Sequence, residues 1–127
     1  MNNLNSILLE GELAGKPDCQ SDKKGNPVCR FTLASSRFFK TDNGMEKETC
    51  CLDIETTGKL ALQCKQNGRE GRGARVVGRL KQEHSRNAEG LPVARILVVA
   101  EYVEFRPTWT QDQKQTMPDR EDYGMER

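Results

Sequence analysis

The feature that most constrains this chain is a period of two in its apolar residues. Asn5–Leu13 sets Ile7, Leu9, Gly11 and Leu13 on one face and Ser6, Leu8, Glu10 and Glu12 on the other. Val28–Ser36 opposes Cys29, Phe31 and Leu33 to Arg30 and Thr32, and Cys50–Thr57 turns Leu52 and Ile54 inward and Asp53, Glu55 and Thr57 outward. Ala74–Glu83 opposes Ala74, Val76, Gly78 and Leu80 to Arg75, Val77, Arg79 and Lys81. Side chains alternate across a strand, so each segment predicts a strand with one buried face. Val93–Phe105 is apolar on both faces around Ile96–Val99 and predicts a long strand partly buried on both sides. Only Lys59–Gln66 reads as a helix, with Leu60, Ala61 and Cys64 as its stripe and Asn67-Gly68 as its stop. Gly15–Pro27, Lys40–Gly44 and Asn87–Pro92 carry turn chemistry. The order is β-β-β-α-β-β. It predicts an all-β fold, a five-stranded OB-fold Greek-key barrel with one short helix between strands three and four. A generic five-stranded roll gives the same coarse pattern.

Where the large apolar residues sit divides the chain. Leu, Ile, Val and Phe number 25 in 127 residues, and every one lies at or before Phe105. Residues 1–106 are therefore read as the folded body, and 107–127, with Trp109, as a polar, disordered tail. No apolar run reaches the roughly 18–20 residues of a membrane helix, and the first residues lack a signal peptide's basic start and cleavage site. The expectation is a cytoplasmic protein with no membrane association. Five cysteines, an odd count with Cys50 and Cys51 adjacent, argue against a secreted disulfide framework. One histidine, His84, and no C-x-x-C speak against a zinc site and against a thiol enzyme built on Cys50 or Cys51. Gly68–Gly73 is glycine-rich but lacks the Lys-Ser/Thr of a phosphate-binding loop. No cofactor, metal or catalytic set is implied.

A formal charge of +1 hides a split. The body carries +3 and the tail −2. Residues 59–86 hold Lys59, Lys65, Arg69, Arg72, Arg75, Arg79, Lys81 and Arg86 against Glu70 and Glu83, a local +6. Arg75, Arg79 and Lys81 fall on one predicted strand face, an electrostatic footprint for a polyanion.

The segments NSILLEGEL, GNPVCRFTLASSRFFK, EKETCCLDIETTGKLA, RVVGRLKQE and ILVVAEYVEF, in this order and spacing, resemble the bacterial single-stranded DNA-binding protein family over about residues 4–106. The resemblance implies an OB fold, usually a homotetramer, with a dimer as the alternative. It implies binding of single-stranded DNA with little sequence preference, in replication, recombination or repair, and contact with proteins of those processes. Phosphates follow cations while bases stack on aromatic rings. Carried over by position, Phe39 occupies the aromatic site after LASSRF, with Phe38 beside it. Adjacent strand residues face opposite ways, so one phenylalanine is expected to pack in the core and Phe39 to stack a base. Arg37, Lys40, Arg75, Arg79, Lys81 and Arg86 are the expected phosphate contacts, and Lys59 at the helix start joins them through the resemblance. Three further family aromatics are replaced here by Cys51, Thr57 and Ser85. The chain also ends PDREDYGMER, without the family's terminal Pro-Phe. The altered positions raise a second reading: an OB-fold accessory protein of a replication or restart assembly, with weak DNA binding and mainly protein contacts.

Overall fold

The computed structural model describes residues 1–107. The expected tail, Pro107 apart, and Trp109 within it lie outside the described residues. Six strands and one helix follow in the order β1 (Ile7–Leu13), β2 (Asp18–Ser21), β3 (Pro27–Thr41), β4 (Gly44–Thr57), α1 (Lys59–Asn67), β5 (Gly73–Arg86) and β6 (Pro92–Phe105). The sheet runs β1-β5-β6-β4-β3 and closes where Glu12 and Leu13 of β1 meet Ala34 and Leu33 of β3. That is the expected five-stranded barrel with its one helix between the long strands β4 and β5. β4 and β6 are parallel neighbours at Ile54↔Val98 and Glu55↔Val99; the other pairings are antiparallel.

The predicted inward faces fill the barrel. Leu13, Phe31, Leu33, Ile54, Ala74, Val76, Val98, Ala100 and Val103 form the core, with Ala61 and Cys64 of α1 plugging one end. Two glycines allow close strand approaches, one where β1 meets β3 and one at the β5–β6 register shift. A Cβ on Gly11 falls 2.2 Å from the Ala34 carbonyl oxygen, and one on Gly78 falls 2.2 Å from that of Val99. No side chain fits at either crossing. Asn5 extends the sheet beyond β1: its amide donates to the Leu80 carbonyl at 2.8 Å and accepts from the Leu80 N–H at 2.9 Å.

Three expectations are corrected. The Gly15–Pro27 turn contains β2, which pairs with β3 over Asp18–Ser21. Cys19 and Cys29 face each other across that ladder and form one disulfide, where the odd cysteine count and the Cys50-Cys51 pair argue only against a secreted disulfide framework. The pairing depends on register between two strands, which counting cannot reveal. Second, β3 and β4 outrun their predicted bounds and pair as far as Thr41↔Gly44, so the Lys40–Gly44 loop shrinks to a tight turn. Third, Leu80 and Ile96 are exposed instead of buried, because β5 and β6 overshoot the barrel.

Two ribbons follow from this overshoot. Residues 35–41 and 44–50 pair only with each other. Beyond Gly78 and Val98, β5 and β6 likewise pair only with each other, apart from the Asn5 clip.

Candidate nucleic-acid interface

The β3–β4 register decides which side chains share a face, because directly opposed residues project the same way. The outer face carries Arg30↔Glu55, Thr32↔Asp53, Ala34↔Cys51 and Phe38↔Lys47, with Thr57 opposite Val28. Phe38 therefore lies on the face of Cys51 and Thr57. It is 66% exposed, and the Lys47 ammonium sits 5.8 Å from its ring centre. Phe39 lies on the other side of the ribbon, half-buried beneath the Arg37 guanidinium at 4.6 Å. Neither ring enters the core, contrary to expectation, because the ribbon extends past the barrel that would enclose one of them. Arg37 also pairs with Glu48 at 2.9 Å, in full solvent view. Lys40 is exposed and makes no ion pair among the described residues. An exposed aromatic beside unspent cations can stack a base while holding the adjoining phosphates.

The cations of β5 do not form the single free face that the alternation predicts. The β5–β6 register shifts between Val77 and Gly78. On one side of the shift, Arg75 is gripped by Glu10 and lies 3.8 Å from Glu104. The hydrogen bond from Arg75 holds the Glu10 carboxyl below its usual range, with further pull from Arg106 and opposition from desolvation; the same bond raises Arg75. On the other side, Arg79 makes no ion pair among the described residues. Lys81 lies 3.8 Å from Glu55. Arg86 donates to the Gly90 carbonyl at 2.8 Å and braces the β5–β6 turn. Lys59 is exposed at the start of α1, after Gly58 (φ 66°). The structure thus brings Arg37, Phe38, Phe39 and Lys40 together on one ribbon and Arg79, Lys81 and Arg86 on the other.

At the base of both ribbons the outer face is occupied by its own charges. Arg30 donates to Glu55 at 2.6 and 3.1 Å and to Glu83 at 3.2 Å. Arg95 hydrogen-bonds Asp53 and lies 3.9 Å from Glu83, while Thr32 donates to Asp53 at 2.9 Å. With Lys81, this web ties the β5–β6 ribbon to the β3–β4 face. It explains why Glu55, expected to point into solvent, is only 9% exposed. Its hydrogen bond to Glu55 raises the Arg30 guanidinium further above its usual range, against the cost of desolvation. Leu97, opposite Lys81 and on the same face, is fully buried. A leucine on a barrel's outside is buried only if neighbours cover it, and its ladder neighbours are members of this web. Sequence reasoning missed Arg30, Lys47 and Arg95. The register that would have placed Lys47 opposite Phe38 follows from running the hairpin to its tight turn.

A third surface is apolar. Leu8↔Val77↔Tyr102 share one outer face of β1, β5 and β6, with Leu8 and Tyr102 exposed. The β1 edge beside it is unpaired from Ile7 to Gly11. Among the described residues no group of His, Cys, Asp and Glu is arranged to hold a metal ion.

The model of the single-strand binding protein family matches residues 4–106. The chain is 33% identical over 103 residues to the single-stranded DNA-binding protein of Aquifex aeolicus, covering 80% of this chain and 69% of that one. It is 33% identical over 115 residues to single-stranded DNA-binding protein 1 of Staphylococcus aureus, covering 90% and 73%. The solved complex of Plasmodium falciparum SSB with ssDNA superposes with a TM-score of 0.75 at 22% identity, over 84% of this chain and 98% of that one, and shares the fold.

Proposed function

Because the chain belongs to the single-strand binding protein family, we propose that it binds single-stranded DNA with little sequence preference, protecting exposed strands during replication, recombination or repair. The observation that carries this reading is the β3–β4 ribbon, where a solvent-facing phenylalanine, Phe38, stands beside Lys47 and near Lys40. Every base has a π-face, so stacking on Phe38 selects single strands without selecting sequence. Lys40, Lys47, Lys59, Arg79 and Arg86 supply phosphate contacts, and Arg37 and Phe39 line the ribbon's other side. Arg75 and Lys81 contribute less, because carboxylates already engage them. Binding involves no chemical step, which makes the protein a binder and not an enzyme. Its place is the cytoplasm, at the nucleoid. No helix among the described residues is long and apolar enough to cross a membrane.

The apolar face of Leu8, Val77 and Tyr102, beside the open β1 edge, supports assembly with further copies of the chain. Two copies meeting there make a dimer, and two dimers a tetramer. Competition between labelled oligo-dT, unlabelled mixed-sequence single strands and duplex of equal length tests the reading. Single strands of any composition compete and duplex does not. Equal competition by duplex overturns it.

One observation favours a second reading. The ion-pair web occupies the sheet face that the two ribbons flank, which suits an accessory protein with weak DNA binding and mainly protein contacts.

A further inference from the structure

We propose that Asp53, Glu55 and Glu83 act as built-in substitutes for phosphate, and so determine how much of the sheet face a DNA strand can use. The inference rests on the single-strand-binding reading above and gives the ion-pair web a role within it. The web joins three cations, Arg30, Lys81 and Arg95, to three carboxylates in one chain of contacts: Lys81–Glu55–Arg30–Glu83–Arg95–Asp53. Its members come from all four strands of the face. The charges cancel, so this patch offers no net attraction to a polyanion. Yet each cation's side chain is close to half exposed, at 43%, 47% and 45%. A phosphate can reach them.

Guanidinium groups take carboxylate and phosphate in the same forked geometry. A phosphate taking the Nε–Nη2 fork of Arg30 displaces Glu55 or Glu83, and it exchanges one ion pair for another. The displaced carboxylate then faces the phosphate as a like charge. No counterion is released from a cation that a carboxylate already neutralises, so this patch adds nothing to the salt dependence of binding. The carboxylates hold the strand to the ribbons, where Phe38 is exposed and Lys40, Lys47 and Arg79 have no carboxylate partner among the described residues. They are specificity-determining residues that limit affinity.

The test compares the wild-type chain, E55Q/E83Q and a charge-matched control, E12Q/E70Q, whose substitutions lie outside the web. Each is titrated with labelled oligo-dT from 20 to 200 mM salt, after circular dichroism and sizing confirm the fold. Releasing Arg30 and Lys81 adds two phosphate contacts. The slope of log K against log salt steepens by about 1.4, which deepens the affinity loss between 50 and 200 mM by about sevenfold. The control shifts by less. Adding R30Q to the variant removes about half of the change, whereas R30Q alone has little effect on the wild type. Should E55Q/E83Q not fold, D53N releases Arg95 from its nearer partner, and the expected steepening is about 0.7.

A wild type that binds, with a variant indistinguishable from the control, overturns the inference and leaves the single-strand reading standing. A variant that binds beside a silent wild type supports the inference and replaces that reading with the accessory one. Silence from both at 20 mM salt overturns both.

Discussion

Truncating Phe38 to alanine separates binding from folding. Phe38 is 66% exposed and lies outside the core, so its ring contributes little to the folded state. The change in stability stays within about 0.5 kcal/mol, the range of ordinary surface substitutions. If the ring stacks one base, binding loses about 1–3 kcal/mol. At 1.4 kcal/mol per tenfold, that is about 5- to 150-fold in affinity for oligo-dT. Lys47 sits over the same ring, so Lys47→Ala removes one phosphate contact and flattens the salt slope by about 0.7. Phe39→Ala acts on the opposite face of the ribbon, beneath Arg37, and gives a smaller loss. Fluorescence anisotropy at fixed salt measures the affinities and urea titration the stability. Unchanged affinity in Phe38→Ala beside a large loss in Phe39→Ala refutes the assignment of faces from the ladder register.

Three further outcomes follow from other parts of the molecule. Gly11→Ala forces a Cβ to within 2.2 Å of the Ala34 carbonyl oxygen where the barrel closes, and urea denaturation shows a loss of about 1–3 kcal/mol or more; an unchanged midpoint contradicts the close approach. In thiol titration of the native protein, Cys50 and Cys51 react, Cys64 reacts only on unfolding because burial pushes its thiol up, and Cys19 and Cys29 require reductant. Reducing that short cross-strand loop costs about 3 kcal/mol of stability, and five reactive thiols before reductant contradict the bond. Glu10 has a depressed folded-state value, so its contacts with Arg75 and Arg106 support the fold above the ordinary carboxylate range and fade as pH falls through that lower value. Glu10→Gln flattens this acid limb of a stability–pH profile, and an unaltered limb argues against the pairing.

The barrel was legible because its determinants are local. Leu13, Phe31, Ile54 and Val76 declare their strands by alternation, and Leu60, Ala61 and Cys64 declare the helix by its longer period. Strand β2 was not, because Asp-Cys-Gln-Ser has no apolar period and borrows its pairing from β3. The cation face on β5 was half legible. Alternation groups Arg75 with Arg79 and Lys81, and the shift beside Gly78 skips Glu101 of β6 without interrupting β5, but the carboxylates of Glu10, Glu104 and Glu55 that engage Arg75 and Lys81 come from other strands. The web was illegible. Arg30, Asp53, Glu83 and Arg95 are far apart in sequence and meet only because the β4–β6 pairing sets β3 and β4 beside β6 and β5. Phe38 continues the outward alternation of Arg30 and Thr32 along β3, whereas its place beside Lys47 depends on the hairpin register.

Single-strand binding here combines stacking with a small set of cations that have no carboxylate partner among the described residues. The most direct measurement is the affinity for oligo-dT at a series of salt concentrations. Lys40, Lys47, Lys59, Arg79 and Arg86 can each take one phosphate. The log–log plot is therefore straight, with a slope no steeper than about −3.5. Residual affinity persists at high salt, and Phe38→Ala lowers it. Absence of binding at the lowest salt, or binding indifferent to salt, refutes binding through stacking and these cations.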